Sequence, residues 1–131
     1  MNLLRDTHIF LWFISNDPRL KQSFAAAIQS AENDVYLSAM SVWEATIKQQ
    51  IGKLPLPGPA PVYMPALRAQ HEIESLALFE ADIASLYTLP LLHRDPFDRI
   101  LVAQASHHNL TIVTDDAEMK AYTAQFLAPD S

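Results

Sequence analysis

The chain has 131 residues, half of them hydrophobic, and a net charge of −6 from fifteen acidic and nine basic residues. This length suits one domain, residues 1–131, with a buried core, and the composition excludes a disordered or low-complexity protein. With no cysteine, disulfide scaffolds, thiolate zinc sites and cysteine nucleophiles are all excluded. The acidic balance argues against coating nucleic acid by bulk charge. It leaves room for an enzyme that holds a cation among carboxylates and meets a polyanion there. No apolar run reaches the roughly eighteen residues of a membrane span. The longest candidate, residues 9–14, follows Arg5, Asp6 and His8 and has no small-residue cleavage site after it. It is not read as a signal peptide, and a cytoplasmic protein is expected.

In chain order, residues 1–6 read as a short strand ending at an acid, and 7–14 as one or two helical turns closed by Ser15-Asn16-Asp17-Pro18. Pro18 suits the first turn of a helix over 18–31. A strand over 35–37 follows the turn residues Glu32-Asn33-Asp34. Ser38 caps a helix to residue 50, which Gly52 stops. Five of the eleven residues 55–65 are proline, which predicts a stiff, extended connection. A helix over 65–71, a strand over 73–78 and a helix over 80–87 come next, then a loop over 89–94. Asp95 and Pro96 form an N-cap and first-turn pair for a helix ending near His107, closed by Asn109. A strand over 110–114 precedes a short helix and a last extended segment within 115–131. The alternation predicts an α/β fold, a three-layer α/β/α sandwich with a central parallel sheet and right-handed crossovers. Ligands of such sheets bind beyond the carboxyl ends of the strands.

Carboxylates gather at that edge. Asp6 ends the first strand, and Asp115 and Asp116 follow the last clear one; either alone reads as an ordinary strand-ending or capping acid. Glu44 falls inside the apolar stripe Met40, Trp43, Ile47 and Ile51, where a bare carboxylate is costly unless paired, protonated or metal-bound. A capping box Ser41-x-x-Glu44 is the structural alternative, weakened because Ser38 competes as the cap. Asp98 shares a face with Val102 and Ala105, and alone it reads as a first-turn acid favoured by the helix dipole. Together, Asp6, Glu44, Asp98 and Asp116 would form a cluster that cannot stay fully ionised without a cation. Hard oxygen ligands suit Mg²⁺ or Mn²⁺, and such a site suits phosphodiester hydrolysis.

The runs Leu3-Leu4-Arg5-Asp6-Thr7-His8 with Leu11-Trp12, Ser38-x-x-Ser41-x-Trp43-Glu44, and His93-Arg94-Asp95-Pro96-Phe97-Asp98-Arg99 with Ala103-Gln104-Ala105 follow a known pattern. Together with Leu110-x-x-Val113-Thr114-x-Asp116, this pattern resembles PIN-domain ribonucleases, and within them VapC-type toxins of toxin–antitoxin pairs. The match runs in order along nearly the whole chain, and Asp95-Pro96-Phe97-Asp98-Arg99 is its most specific segment. The resemblance implies a Mg²⁺- or Mn²⁺-dependent endoribonuclease with Asp6, Glu44, Asp98 and Asp116 as its catalytic, metal-binding quartet. Thr7 and Thr114 would orient a carboxylate or a metal-bound water, and Asp95 would cap the helix or assist from behind the site. A homodimer, an RNA substrate and a cognate antitoxin, whose tail lies in a groove and places a basic residue at the acids, are also implied. Arg5 departs from the pattern, where an apolar residue is usual. By alternation it points away from the face of Asp6, free to reach solvent or pair with an acid. Asp115 is an extra charge beside Asp116, and the spacing from Thr114 favours Asp116 as the ligand.

The five histidines, His8, His71, His93, His107 and His108, lack zinc-enzyme spacing, and their ordinary reading is solvent or helix-end dipole. His93 is nearest to the Asp95–Asp98 motif and is the one expected to approach substrate. Arg94 and Arg99 are candidates for phosphate contact, with a salt bridge from Arg99 to Asp95 as the even alternative. Lys48, Lys53 and Lys120 read as solvated surface before an RNA path, and Trp12 and Trp43 as core or dimer contacts before base-stacking platforms. No G-x-S-x-G elbow surrounds Ser41. A haloacid-dehalogenase-like phosphatase would need a second Asp two residues after Asp6, where His8 stands. With two glycines, no Walker-type or GxGxxG loop exists. A non-catalytic partner-binding domain with a structural metal is the rival from another class.

Overall fold

In the computed structural model, which describes residues 1–122 and 124–127, five parallel strands form one sheet in the order β3-β2-β1-β4-β5. The strands are β1 (Asn2–Arg5), β2 (Asp34–Ser38), β3 (Glu74–Leu76), β4 (Thr111–Val113) and β5 (Gln125–Phe126). Six helices connect them: α1 (Thr7–Ile14), α2 (Gln22–Gln29), α3 (Ala39–Gln50), α4 (Ala60–Gln70), α5 (Glu80–Thr88) and α6 (Pro96–His108), with a 3₁₀ turn at Met119–Ala121. The predicted α/β/α architecture holds. The 3₁₀ turn and β5 answer to the short helix and extended segment expected after 115; residues 123 and 128–131 of that segment lie outside the described residues.

Alternation along the strands divides the core. Leu3, Val35, Leu37 and Val113 face one layer, with Ile9, Phe10, Phe24, Ile28, Ala45 and Met64 from α1 to α4. Leu4, Ile112 and Leu76 face the other, with Leu101, Val102 and Ala105 of α6 and Met119 and Tyr122 beyond it. Gln104 of α6, fully buried, ties that helix to the carboxyl edge of the sheet. It accepts from the Ser38 hydroxyl at 2.6 Å and donates to the Ala77 carbonyl at 3.2 Å.

Two expected elements have different bounds, each for a local reason. The helix expected over 18–31 begins only at Gln22. Asp17 accepts the Arg19 backbone N–H at 2.9 Å and its guanidinium at 2.7 Å, a side-chain turn that competes with a helical one. The extended connection expected over 55–65 ends early, because α4 starts at Ala60 and carries Pro65 inside it. Gln49 fixes that start: its amide accepts from the Ala60 N–H and donates to the Gly58 carbonyl, both at 2.8 Å. Ala60 and Met64, four residues apart, are fully buried.

Arg5 neither reaches solvent nor pairs with an acid. It is fully buried under α1, its guanidinium 4.8 Å from the Phe10 ring centre and 5.3 Å from that of Phe13. Its three guanidinium nitrogens have no hydrogen-bond partner among the described residues. Burial lowers its pKa to about 9, which still leaves it charged at neutral pH. The two rings return part of the desolvation cost, and the rest is a standing penalty on folding. Arg5→Met, which keeps the length and removes the charge, is expected to stabilise the protein by about 1–4 kcal/mol. Urea titration reads this as a higher midpoint at unchanged slope.

Candidate active site

The site forms where β1, β2 and β4 end. Asp6 directly follows β1 and is the N-cap of α1, so the capping reading of this residue is correct as far as it goes. One carboxylate oxygen accepts the Ile9 N–H at 2.8 Å; the other accepts the Thr114 hydroxyl across the sheet in a short hydrogen bond. Burial raises the Asp6 carboxyl above the usual range, against those two hydrogen bonds and the charge of His8, and with a small addition from Asp115. Thr114 also accepts the Asp116 N–H at 3.0 Å, so one hydroxyl positions both acids. Asp116 is half-buried and Asp115 exposed.

Glu44 is buried, but not in the stripe that the sequence suggested. Trp43 and Ile51 are 55% and 59% exposed, while Ser41, Glu44 and Ala45 form the buried face of α3. Ser38 is the cap, accepting the Met40 N–H at 3.0 Å, and the alternative box through Ser41 is absent. The helix turns this face inward because Glu44 has partners there. Its oxygens accept the Thr7 hydroxyl at 2.6 Å and lie 2.9 Å from the Lys48 ammonium. Lys48 is therefore a counter-charge rather than simple surface. Burial works against its charge, yet Glu44, Asp95 and Asp98 together raise its pKa. The pair sits at i, i+4, a spacing readable in the sequence.

Asp98 lies in the first turn of α6, which Asp95 caps by accepting the Phe97 and Asp98 N–H groups at 2.8 and 3.3 Å. Burial raises the Asp98 carboxyl to about 6; the His93 hydrogen bond opposes this, and the charges of Asp95, Glu44 and Asp116 add to it. Three of the four predicted acids thus share one electrostatic neighbourhood, and Asp6 is linked to it through Thr114. His93 belongs to the cluster, contrary to its ordinary reading. Its Nε2 is 2.8 Å from Asp98 and its Nδ1 2.7 Å from Glu118. The Tyr122 hydroxyl, accepting the His93 N–H at 3.0 Å, fixes its backbone. Burial opposes protonation of this ring, but Asp98, Glu118 and Asp116 outweigh it and raise its pKa. Glu118 was not anticipated; its spacing of two from Asp116 is the signal that would have found it.

Other expectations resolve differently. Arg99 makes no salt bridge to Asp95 among the described residues and donates to the Leu89 carbonyl at 3.4 Å. Trp12 is half-buried, packs against the α1–α4 core and stacks under Arg19 at 5.0 Å. Trp43 is no core residue and meets Phe97 edge-on at 5.3 Å.

The PIN domain family model matches residues 3–124 of this fold. The chain belongs to the PIN-domain family. It is 25% identical to ribonuclease VapC22 of Mycobacterium tuberculosis over 121 residues, 92% of this chain and 91% of that protein. A 40-residue segment is 45% identical to ribonuclease VapC16 of the same organism, covering 30% of this chain and 28% of that protein. Among solved structures, the Rickettsia felis VapBC2 complex bound to a promoter DNA fragment contains a similar chain (TM-score 0.75, 15% identity, 97% of this chain and 98% of that one). The Neisseria gonorrhoeae FitAcB structure holds another (TM-score 0.65, 22% identity, 97% of each chain). At these identities the solved structures speak for the PIN fold.

Asp98 and His93, raised together with Asp6 at this edge, set a pH dependence. Unfolded Asp98 loses its proton near the ordinary carboxylate value of 3.8, folded Asp98 near 6, so between these values the folded PIN domain holds the extra proton and stability falls as pH rises. His93 contributes stability below its unfolded value of 6.5 that is lost as pH rises through its higher folded value. In EDTA the unfolding free energy is expected to decline from pH 4 into the neutral range. Asp98→Asn should flatten the part below pH 6, as read by denaturant titrations across that range.

Proposed function

We propose that this PIN domain is a divalent-metal-dependent endoribonuclease, the toxin of a toxin–antitoxin pair, with Asp6, Glu44, Asp98 and Asp116 as its metal-binding and catalytic residues. The observation that carries the reading is Asp98, a half-buried carboxyl raised to about 6 by burial and by Glu44, Asp95 and Asp116. Ionised groups held this close are tolerable only with positive charge among them. The donor set fits Mg²⁺ or Mn²⁺, since all four acids offer hard oxygens and no thiolate exists in the chain. When bound, such an ion lowers the pKa of a coordinated water and stabilises charge on a phosphate under attack.

The chain's own residues prepare that chemistry. Thr114 orients Asp6 and the start of the Asp116 loop, Thr7 orients Glu44, and His93 orients Asp98. Asp95 acts from behind by capping α6. Lys48 offsets the Glu44 charge until an ion enters. Arg94, Arg99 and His93 neighbour Asp95 and Asp98 along the chain and are the proposed RNA contacts, positive charge that an acidic protein would offer a polyanion.

The partners follow from the same reading. VapC22 and VapC16 are ribonucleases by name, and similar solved chains come from the VapBC2 complex and from a Klebsiella pneumoniae toxin–antitoxin complex. A cognate antitoxin is therefore proposed here. The exposed Trp43, Leu78 and Ile83 line one apolar hollow, and Ile83, Tyr87 and Leu91 line a second beside it, a surface suited to a homodimer. No helix of the described residues is long and apolar enough to cross a membrane, and a cytoplasmic location, where RNA is met, is part of the proposal.

Purified protein should cleave single-stranded or structured RNA with Mg²⁺ or Mn²⁺ and lose all cleavage in EDTA. Asp98→Asn and Asp116→Asn should each lower the rate more than about a hundredfold while remaining folded. Full cleavage by Asp98→Asn, or cleavage indifferent to EDTA, would falsify the assignment. Calorimetry offers a separate check: at one hundred times its Kd, a single Mg²⁺ or Mn²⁺ ion should add about 2.7 kcal/mol of stability to the wild type. The increment should shrink in Asp98→Asn.

A further inference from the structure

We propose a second cation site, distinct from the acidic one, formed by Asp82, His107 and His108 and selective for a borderline transition metal such as Zn²⁺, Ni²⁺ or Co²⁺. It lies between the start of α5 and the end of α6. Asp98 and His108 are ten residues apart on α6, about 15 Å along a helix, so the two sites do not share ligands.

Asp82 supplies the first reason. It is fully buried, and only one of its oxygens has a structural task, accepting the Phe79 N–H at 2.8 Å at the start of α5. The other oxygen, Oδ1, lies 2.9 Å from His108 Nε2, yet the two are not aligned as a hydrogen bond and neither has another partner among the described residues. A buried carboxylate oxygen with no hydrogen bond is costly, and native structures normally satisfy it. Two donor atoms about 2.9 Å apart have the spacing of ligands at about 90° on an ion with bonds near 2.1 Å, as in an octahedral site; a tetrahedral one would need about 3.4 Å. A cation facing both lone pairs would satisfy each.

His107 supplies the third ligand. One nitrogen from each imidazole and one Asp82 oxygen all lie within 4.8 Å of one another. The two rings meet edge-on, at 81° with centres 4.7 Å apart. His107 is exposed and has room to close the remaining gap by side-chain rotation. His108 is held more firmly, against Phe79 at 5.7 Å.

The donors decide the metal. Two imidazole nitrogens and one carboxylate favour Zn²⁺, Ni²⁺, Co²⁺ or Cu²⁺ over Mg²⁺, which prefers oxygen. Three protein ligands leave positions for water. The ion would staple the end of α6 to the first turn of α5, so its effect is on the docking of these helices rather than on phosphodiester chemistry.

Co²⁺ is the probe, added to full-length, untagged, metal-stripped protein and followed by visible absorption and calorimetry. The wild type is expected to show the absorption of a nitrogen-ligated cobalt ion, reversed by excess Zn²⁺ but not by excess Mg²⁺. His107→Gln, at an exposed position, should weaken this binding at least about tenfold, and His108→Gln should weaken it further. Asp98→Asn should leave it intact. Cobalt binding unchanged in His107→Gln, or abolished by Asp98→Asn, would overturn the second site without touching the ribonuclease proposal. Loss of RNA cleavage in EDTA tests that proposal alone.

Discussion

Mutual repulsion among carboxylates at one edge of a parallel sheet is the constraint around which this structure is arranged. Burial, with the charges of Asp95, Glu44 and Asp116 added to it, makes Asp98 hold its proton to about 6. Each acid has a dedicated support: Thr114 for Asp6 and Asp116, Thr7 and Lys48 for Glu44, His93 for Asp98. These hydrogen bonds and counter-charges are drawn from four separate elements. The edge is thus assembled by the whole fold, and no single segment could hold it alone. Gln104 ties Ser38 at the end of β2 to Ala77 after β3.

Much of this was readable from the chain. The alternation of elements gave the sheet its parallel form, and the Asp95-Pro96 cap, the Ser38 cap and the Asn109 stop fell where their chemistry places them. Asn109 adopts the left-handed conformation at φ 55°, which asparagine tolerates better than most residues. The acids were found because strand-ending carboxylates in a parallel fold converge on one edge.

What was missed depended on contacts between distant segments. The buried face of α3 is polar, because Thr7 lies 37 residues away and meets Glu44 there, so apolar periodicity pointed to the wrong stripe. The outward Trp43 packs with Phe97 on the opposite side. Helix α4 begins within a proline-rich run because Gln49, eleven residues earlier, supplies the contacts its first turn lacks. His93 stood out in sequence only as a neighbour of the Asp95–Asp98 motif; its place between Asp98 and Glu118 depends on a backbone that Tyr122 fixes. Arg5 could not have been foreseen at all, as alternation says which face a residue takes but not whether anything there can pair with it.

The double task of Asp6 has a consequence for comparing related chains. Its carboxylate begins α1 as well as facing the acidic edge, so a relative that had abandoned catalysis would still gain from keeping an aspartate, or an asparagine, at that position. Its presence is thus a poor diagnostic of living chemistry. Among the described residues the Asp116 carboxylate accepts only the backbone N–H of Glu118 in its own turn, so little in the architecture holds it there apart from the proposed chemistry. On the proposed reading, decay of a nuclease into an inert scaffold would be legible first at the turn after β4, and last at the end of β1.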